Sequence, residues 1–281
     1  MEEMTMKRTL IAALAATVAA PALAQEAPYP VLRSAAEGLD GYTLYAPQGL
    51  ADAPAVLWFN GGCVLSHAQA TALIVGVAEQ GYAVLATGAP GDYSTDRDGP
   101  RADKVGPMID WLEGAGAGQL GAAPSAIGTM GWSCGGAEAL LGGAEPRVDA
   151  ILGLATGFFT EPDESRPPEY GIENLGSITQ PTMIAAGGPS DIAWENANAN
   201  FDQADFPMIL VGHESAGHGG LVTGAYEGQG VEVQALADSI ALATDWLDWQ
   251  LKGDEATGQA AFLAEDCTWC AAPWSVETKG F

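Results

Sequence analysis

Basic side chains are scarce in this 281-residue chain: ten lysines and arginines stand against 36 aspartates and glutamates, a formal charge of −26. Glu2 and Glu3 cancel Lys7 and Arg8, so the excess of acid belongs to the rest of the chain. A field of that sign repels phosphate backbones and anionic lipid, which argues against nucleic acid and against the membrane surface as partners. The plain reading of the acids is a solvated coat that keeps an exported protein in solution. The sharper reading, a carboxylate-lined metal site, finds no EF-hand pattern, no H-E-x-x-H and no paired C-x-x-C motifs to support it. No metal and no cofactor is expected.

Long apolar runs are missing as well. The one at the start, Leu10 to Ala20, is too short to span a bilayer. It follows Lys7 and Arg8 and precedes Pro21-Ala22-Leu23-Ala24, an A-x-A cleavage signal, so residues 1–24 read as a secretory signal peptide. The expected location is secreted or periplasmic, with a mature chain from about Gln25. Residues 25–281 suit one large-sheet domain, since no repeat, linker or shift in composition divides them. A monomer is expected. Cysteine is limited to four, an even number in an oxidising compartment, which favours disulfides over zinc or a reactive thiol pair.

What the chain does have is a regular alternation. "PAVLWFNGG" (Pro54 to Gly62), "YAVLATG" (Tyr82 to Gly88), "AIGTMGWS" (Ala126 to Ser133), "VDAILGLATG" (Val148 to Gly157), "PTMIAAGG" (Pro181 to Gly188) and "FPMILVGH" (Phe206 to His213) are apolar runs of strand length. Segments with helical spacing lie between them, over Ala68 to Gln80, Met108 to Gly114, Gly135 to Gly143 and Ala193 to Phe201. "GYTLYAP" (Gly41 to Pro47) alternates like a half-exposed strand, and Val231 to Leu251 carries an apolar stripe through Leu236, Ile240, Ala243, Leu247 and Leu251. The fold class is α/β, with a mostly parallel sheet covered on both faces by helices.

Reactive groups of such a sheet collect at the carboxyl ends of its strands. "GWSCGG" (Gly131 to Gly136) lies at one of them. With 37 glycines in the chain it could be an ordinary turn. A strand before and a helix after give it a second meaning: Ser133 on a tight corner, with Gly131 and Gly135 small because backbone must approach backbone. A serine hydroxyl needs a base to become a nucleophile, and the chain offers three histidines. His67 precedes the serine and reads as a polar residue at a helix start. His213 ends a strand and reads as a partner for a loop carbonyl. His218, in a loop with Gly217, Gly219 and Gly220, is the preferred base. Asp191, after the strand Thr182 to Ala186, is the carboxylate placed to orient it, whereas Glu195 falls inside the next helix and Asp96 and Asp163 read as solvated loop charge.

The oxyanion of an attacked carbonyl needs two N–H donors. Cys134, next to the serine, supplies one. "NGGC" (Asn60 to Cys63) supplies the other, with Cys63 N–H the first choice and Gly62 the second. Donors that share one oxygen hold their Cα atoms at a separation a disulfide spans. The expected pairs are therefore Cys63 with Cys134 and Cys267 with Cys270.

The set "NGGC", "GWSCGG", "GGPSDIAWENA" and "GHGG" resembles secreted bacterial and fungal α/β hydrolases related to cutinases and polyester hydrolases. The resemblance runs from about Tyr42 to "CTWCAAPWSVETK". "GWS" followed by a small or sulfur residue and "GG" is similar to the elbow of poly(ethylene terephthalate) hydrolases. It implies the α/β-hydrolase fold, Ser133, Asp191 and His218 as a catalytic triad, Cys63 and Cys134 as oxyanion donors, and Trp132 as a cleft wall. Polyester hydrolases carry methionine after the serine and an aromatic residue in the oxyanion loop, where this chain has Cys134 and Cys63. Trp58, Phe158 and Trp194 are further candidates for an aromatic cleft, against a core role. The segment "FFTEPDESRPPEYGIENLGSITQ" is too short and too rich in proline and charge for a large helical lid, so an open cleft is expected.

Three functions stand at this point: a serine esterase acting on carboxylic esters through an acyl-enzyme, a cutinase-like polyester depolymerase, and a catalytically silent binding protein on the same fold. The partner in the first two is a small-molecule or polymeric ester. Keeping all three triad residue types in hydrolase order speaks against the third.

Overall fold

The computed structural model describes residues 29–97, 102–161, 168–224 and 233–281. The expected signal peptide at 1–24 lies outside the described residues, as do the first two positions of the helix expected from Val231. In chain order the elements are β1 (Val31–Ala35), β2 (Tyr42–Pro47), β3 (Ala55–Phe59), α1 (Thr71–Glu79), β4 (Ala83–Thr87), α2 (Val105–Glu113), α3 (Ala115–Leu120), β5 (Ile127–Trp132) and α4 (Cys134–Gly142). They continue with β6 (Ala150–Leu154), β7 (Thr182–Ala186), α5 (Trp194–Gln203), β8 (Met208–His213), α6 (Gly217–Thr223), α7 (Val233–Lys252), α8 (Glu255–Gly258) and β9 (Trp274–Lys279).

All nine strands join one sheet in the order β1-β2-β4-β3-β5-β6-β7-β8-β9. The six central strands, β4 to β8 in that order, are parallel. The pairings β1 with β2, β2 with β4 and β8 with β9 are antiparallel. Every residue of β3, β4, β6, β7 and β8 is buried, which is why these strands are written as unbroken apolar runs. Side chains still alternate between faces. In β3, Leu57 and Phe59 enter the core shared with α2, α4 and α5, while Val56 and Trp58 enter the one shared with α1, α6 and α7.

Two strands went unforeseen, both at the edges. β1 exposes Leu32, Arg33 and Ala35, and β9 is buried only at its first residue, Trp274. Neither has the apolar content from which a buried strand is read, and each is held by pairing to a buried neighbour instead. Among the described residues, no helix is long and apolar enough to cross a membrane.

The parallel strands all end toward the same rim. The segments that follow β3, β5, β7 and β8 carry Gly62 and Cys63, Ser133 and Cys134, Asp191, and His218 in turn.

Candidate active site

β5 ends at Trp132 and α4 begins at Cys134, so Ser133 alone turns the chain from strand to helix. Its backbone takes φ 56° and ψ −123°, a region that side chains other than glycine rarely enter and that costs about 1–3 kcal/mol. The surroundings hold it there. Ser133 N–H donates to the Leu154 carbonyl at 2.9 Å, and its own carbonyl accepts from Ala137 N–H at 3.1 Å and from Thr156 Oγ1 at 2.7 Å. A Cβ on Gly131 would run into the Gly135 carbonyl, and one on Gly135 would run into the backbone of Phe59 and Asn60. Both glycines are therefore required by contact between main chains, as expected.

His218 Nε2 lies 2.8 Å from Ser133 Oγ, and Nδ1 lies 2.7 Å from Asp191 Oδ1. The Asp191 side chain is fully buried. Its Oδ2 accepts from Gly187 N–H and its Oδ1 from Ala193 N–H, each at 2.9 Å. Burial is the largest single influence on this carboxyl and pushes its pKa up. The hydrogen bond from His218, those from the Ala193 and Gly187 amides and the charge of His218 together outweigh burial and hold it below the ordinary aspartate value. An ionised Asp191 accepts only, so Nδ1 carries the proton toward it and Nε2 faces the serine hydroxyl as an acceptor.

The sequence pointed to a flexible glycine loop as the carrier of His218. The structure puts it in helix α6 instead. The glycines serve close packing: Gly217, at φ 65°, donates its N–H to the Gly187 carbonyl at 2.7 Å, and a Cβ on Gly187 would collide with Gly217 backbone. His218 is thus fixed against the end of β7, the strand that leads to Asp191. The other two histidines are engaged elsewhere. His67 lies between Tyr45 Oη at 2.9 Å and the Thr87 carbonyl at 3.0 Å. His213 Nδ1 accepts from Ser215 N–H at 3.1 Å.

Cys63 and Cys134 are joined with Cα atoms 5.3 Å apart, and Cys267 and Cys270 with Cα atoms 5.1 Å apart. Both pairs are those expected. The first choice of oxyanion donor, however, changes. Cys63 N–H donates to the Asn60 carbonyl at 3.1 Å in a tight turn, so it is spent. Gly62, at φ 65°, has no partner for its N–H among the described residues and lines the same cavity as Ser133. Cys134 N–H is the first of α4, one of the amides a helix leaves unpaired. Among the described residues, Gly62 and Cys134 thus line the cavity with N–H groups that have no partner, and the Cys63–Cys134 bridge ties their two turns together.

Asn60 is a functional position that sequence reasoning passed over. Its Oδ1 accepts from Trp58 Nε1 at 2.8 Å, and its Nδ2 donates to the carbonyls of Val64 at 3.0 Å and Thr87 at 2.9 Å. A buried amide with three such partners fixes the turn that carries Gly62. The one signal in the sequence is an asparagine between a buried strand and two glycines, where an apolar residue would otherwise end the run.

Two cavities meet at Ser133 and His218. One, of about 290 Å³, is walled by Gly62, Cys134, Phe159, Tyr170, Ile192 and Asn196 among others. The second, of about 300 Å³, is walled by Gly61, Ser66, Gln69, Tyr93, Thr95 and Trp132 among others. Trp132 is thus a cleft wall. It also donates Nε1 to the His218 carbonyl at 2.8 Å, and its ring covers Gly61. Trp58 and Phe158 are fully buried core residues, and Trp194 packs against the core at the start of α5. The aromatic walls of the first cavity are Phe159, next to the residue expected, and Tyr170. In the connection from β6 to β7, Pro168–Tyr170 and Ile172–Ser177 form two short 3₁₀ turns, and Tyr170 is part of the cavity wall.

Compared with models of known protein families and with curated proteins, the chain matches none.

Proposed function

We propose that this protein is an exported serine hydrolase of the α/β-hydrolase fold that cleaves carboxylic esters through an acyl-enzyme on Ser133. The observation that carries the reading is the unbroken hydrogen-bonded line from Asp191 through His218 to Ser133 Oγ, at 2.7 and 2.8 Å, beside Gly62 and Cys134, which line the same cavity. Ser133 Oγ attacks the ester carbonyl carbon as His218 Nε2 takes its proton, and the buried Asp191 carboxylate stabilises the imidazolium. The carbonyl oxygen becomes an anion between the N–H groups of Gly62 and Cys134. When it collapses, the ester C–O bond breaks and the alcohol leaves with the proton from His218. Water then repeats the sequence on the acyl-enzyme, giving the acid and restoring the serine.

Two disulfides accord with an oxidising compartment and hence with export. The motif likeness to cutinases and polyester hydrolases belongs to the same proposal. A polyester depolymerase is the second reading, favoured by the two cavities that flank Ser133 and would let a chain cross it. The deciding experiment assays wild type and Ser133→Ala on p-nitrophenyl acetate, p-nitrophenyl butyrate and a polyester film, with fluorophosphonate labelling of the serine peptide. Hydrolysis and labelling by wild type alone are expected. Equal rates in the two proteins would end the nucleophile assignment, and ester cleavage without release from the film would end the polymer reading.

A further inference from the structure

Six basic residues fall among the described ones, and five have a partner. Arg147 is paired with Asp110, Glu113 and Glu145, Lys104 with Asp103, and Lys252 with Asp248. Lys279 donates to the carbonyls of Phe201, Asp202 and Ala204, and Arg33 lies over the Tyr45 ring. Arg97 is the exception. Its backbone bridges to Val64, but its guanidinium has no ion pair, side-chain hydrogen bond or ring contact among the described residues.

That guanidinium borders the cavity at Ser133. It reaches the amide turn itself, since a Cβ built on Gly62 would lie 3.9 Å from Arg97 Nη2. None of the described residues that wall this cavity is an aspartate or glutamate. In a chain with 36 acids and ten bases, the described residues of this cavity include one guanidinium without a described partner and no carboxylate. A guanidinium is a planar fork of N–H donors, and in such a place it suits a carboxylate, which it can grip through two parallel hydrogen bonds. Cys134 lines this cavity and not the other one, and we place the acyl half of the ester here, on the side of Arg97. The second cavity, with Ser66, Gln69 and Thr95, is left for the alcohol.

We propose that Arg97 is a specificity-determining residue for esters whose acyl half carries a second, free carboxylate, that is, monoesters of dicarboxylic acids. The inference rests on the serine-hydrolase reading and names its substrate class. The dicarboxylate released on hydrolysis binds the same residue as a competitive product.

The test compares p-nitrophenyl hemiglutarate with p-nitrophenyl valerate, which has the same acyl length without the charge, on wild type, Arg97→Gln, Arg97→Lys and Arg33→Gln. Loss of Arg97 should lower the hemiglutarate-to-valerate ratio of kcat/KM by about tenfold or more, with Arg97→Lys in between, because a charge-assisted, forked contact is removed. The valerate rate of each variant is the reference against which its hemiglutarate rate is read. Arg33→Gln removes the same charge far from the cavity and should leave the ratio alone. An unchanged ratio in Arg97→Gln, or an equal fall in Arg33→Gln, overturns the proposal. Calorimetric titration of the Ser133→Ala protein with glutarate asks the same question without turnover. Binding lost with Arg97 supports it, and binding indifferent to Arg97 sinks it. If no ester is cleaved and Ser133 takes no fluorophosphonate, the hydrolase reading fails, while the titration still decides the role of Arg97.

Discussion

His218 and His67 are both largely enclosed imidazoles with a partner on each ring nitrogen, and only His218 has the surroundings that a base requires. His67 is held between a phenol and a main-chain carbonyl, both neutral. Burial dominates there and lowers its pKa, against the raising effect of the Thr87 carbonyl. His218 has an ionised carboxylate on one nitrogen and a hydroxyl beside two cavities on the other. The lesson is that two hydrogen bonds make a histidine structural or reactive according to the charge of the partner and the space beyond it.

The widest separation between the two should come from deletion. His218→Ala should lower ester kcat/KM by at least about 10³-fold, whereas His67→Gln should leave it within a few-fold and lower the melting temperature instead. Comparable losses of activity in both variants would erase the distinction. Next in size is Asp191→Asn, which keeps the shape but removes the charge that fixes the Nδ1 proton. A fall of about 10³-fold or more in kcat with little change in KM is expected, and a change confined to KM would show that Asp191 does not act through the imidazole.

Smaller, and about packing rather than charge, is the double change Cys63→Ser with Cys134→Ser. It should reduce unfolding free energy by about 2–4 kcal/mol in denaturant titration and lower kcat as the two amide turns drift. Stability unchanged beside wild-type kcat would mean that the bridge braces nothing.

The last prediction uses pH. The unfolded chain protonates a histidine near pH 6.5, while folded His67 resists it, so the unfolded state binds more protons below that pH and stability declines as pH falls from there. The decline stops once pH passes the lowered folded value. Asp191 behaves as a carboxyl with a depressed folded pKa: its contribution is whole above about pH 4 and is lost only as pH falls further, through the folded value. Equilibrium unfolding of wild type and His67→Gln between pH 7 and pH 5 should therefore diverge, the variant showing the flatter curve. Parallel curves would remove His67 from the account.

Much of this arrangement could be read from the sequence because buried parallel strands are written without polar interruption, and because the order serine, aspartate, histidine falls on the ends of three of them. The edge strands β1 and β9 escaped, since Arg33, Glu277 and Lys279 give them the look of loops. The glycines around His218 were read as freedom, when Gly217 and Gly187 are small so that two main chains can touch. Cys63 was preferred to Gly62 because spacing along a turn does not reveal which N–H closes it. Arg97 had no signal at all: "DYSTDRDG" is an ordinary acidic loop until its position over Gly62 is known.

The left-handed backbone at position 133 has a consequence for how the protein would respond to substitution. Glycine is at ease at φ 56°, and serine is not. Folding alone would be better served by glycine there, so Ser133→Gly should melt at a higher temperature than wild type while being inert. The least comfortable residue of the corner is then the one whose hydroxyl the neighbours are arranged around, and the molecule is more fragile for keeping it.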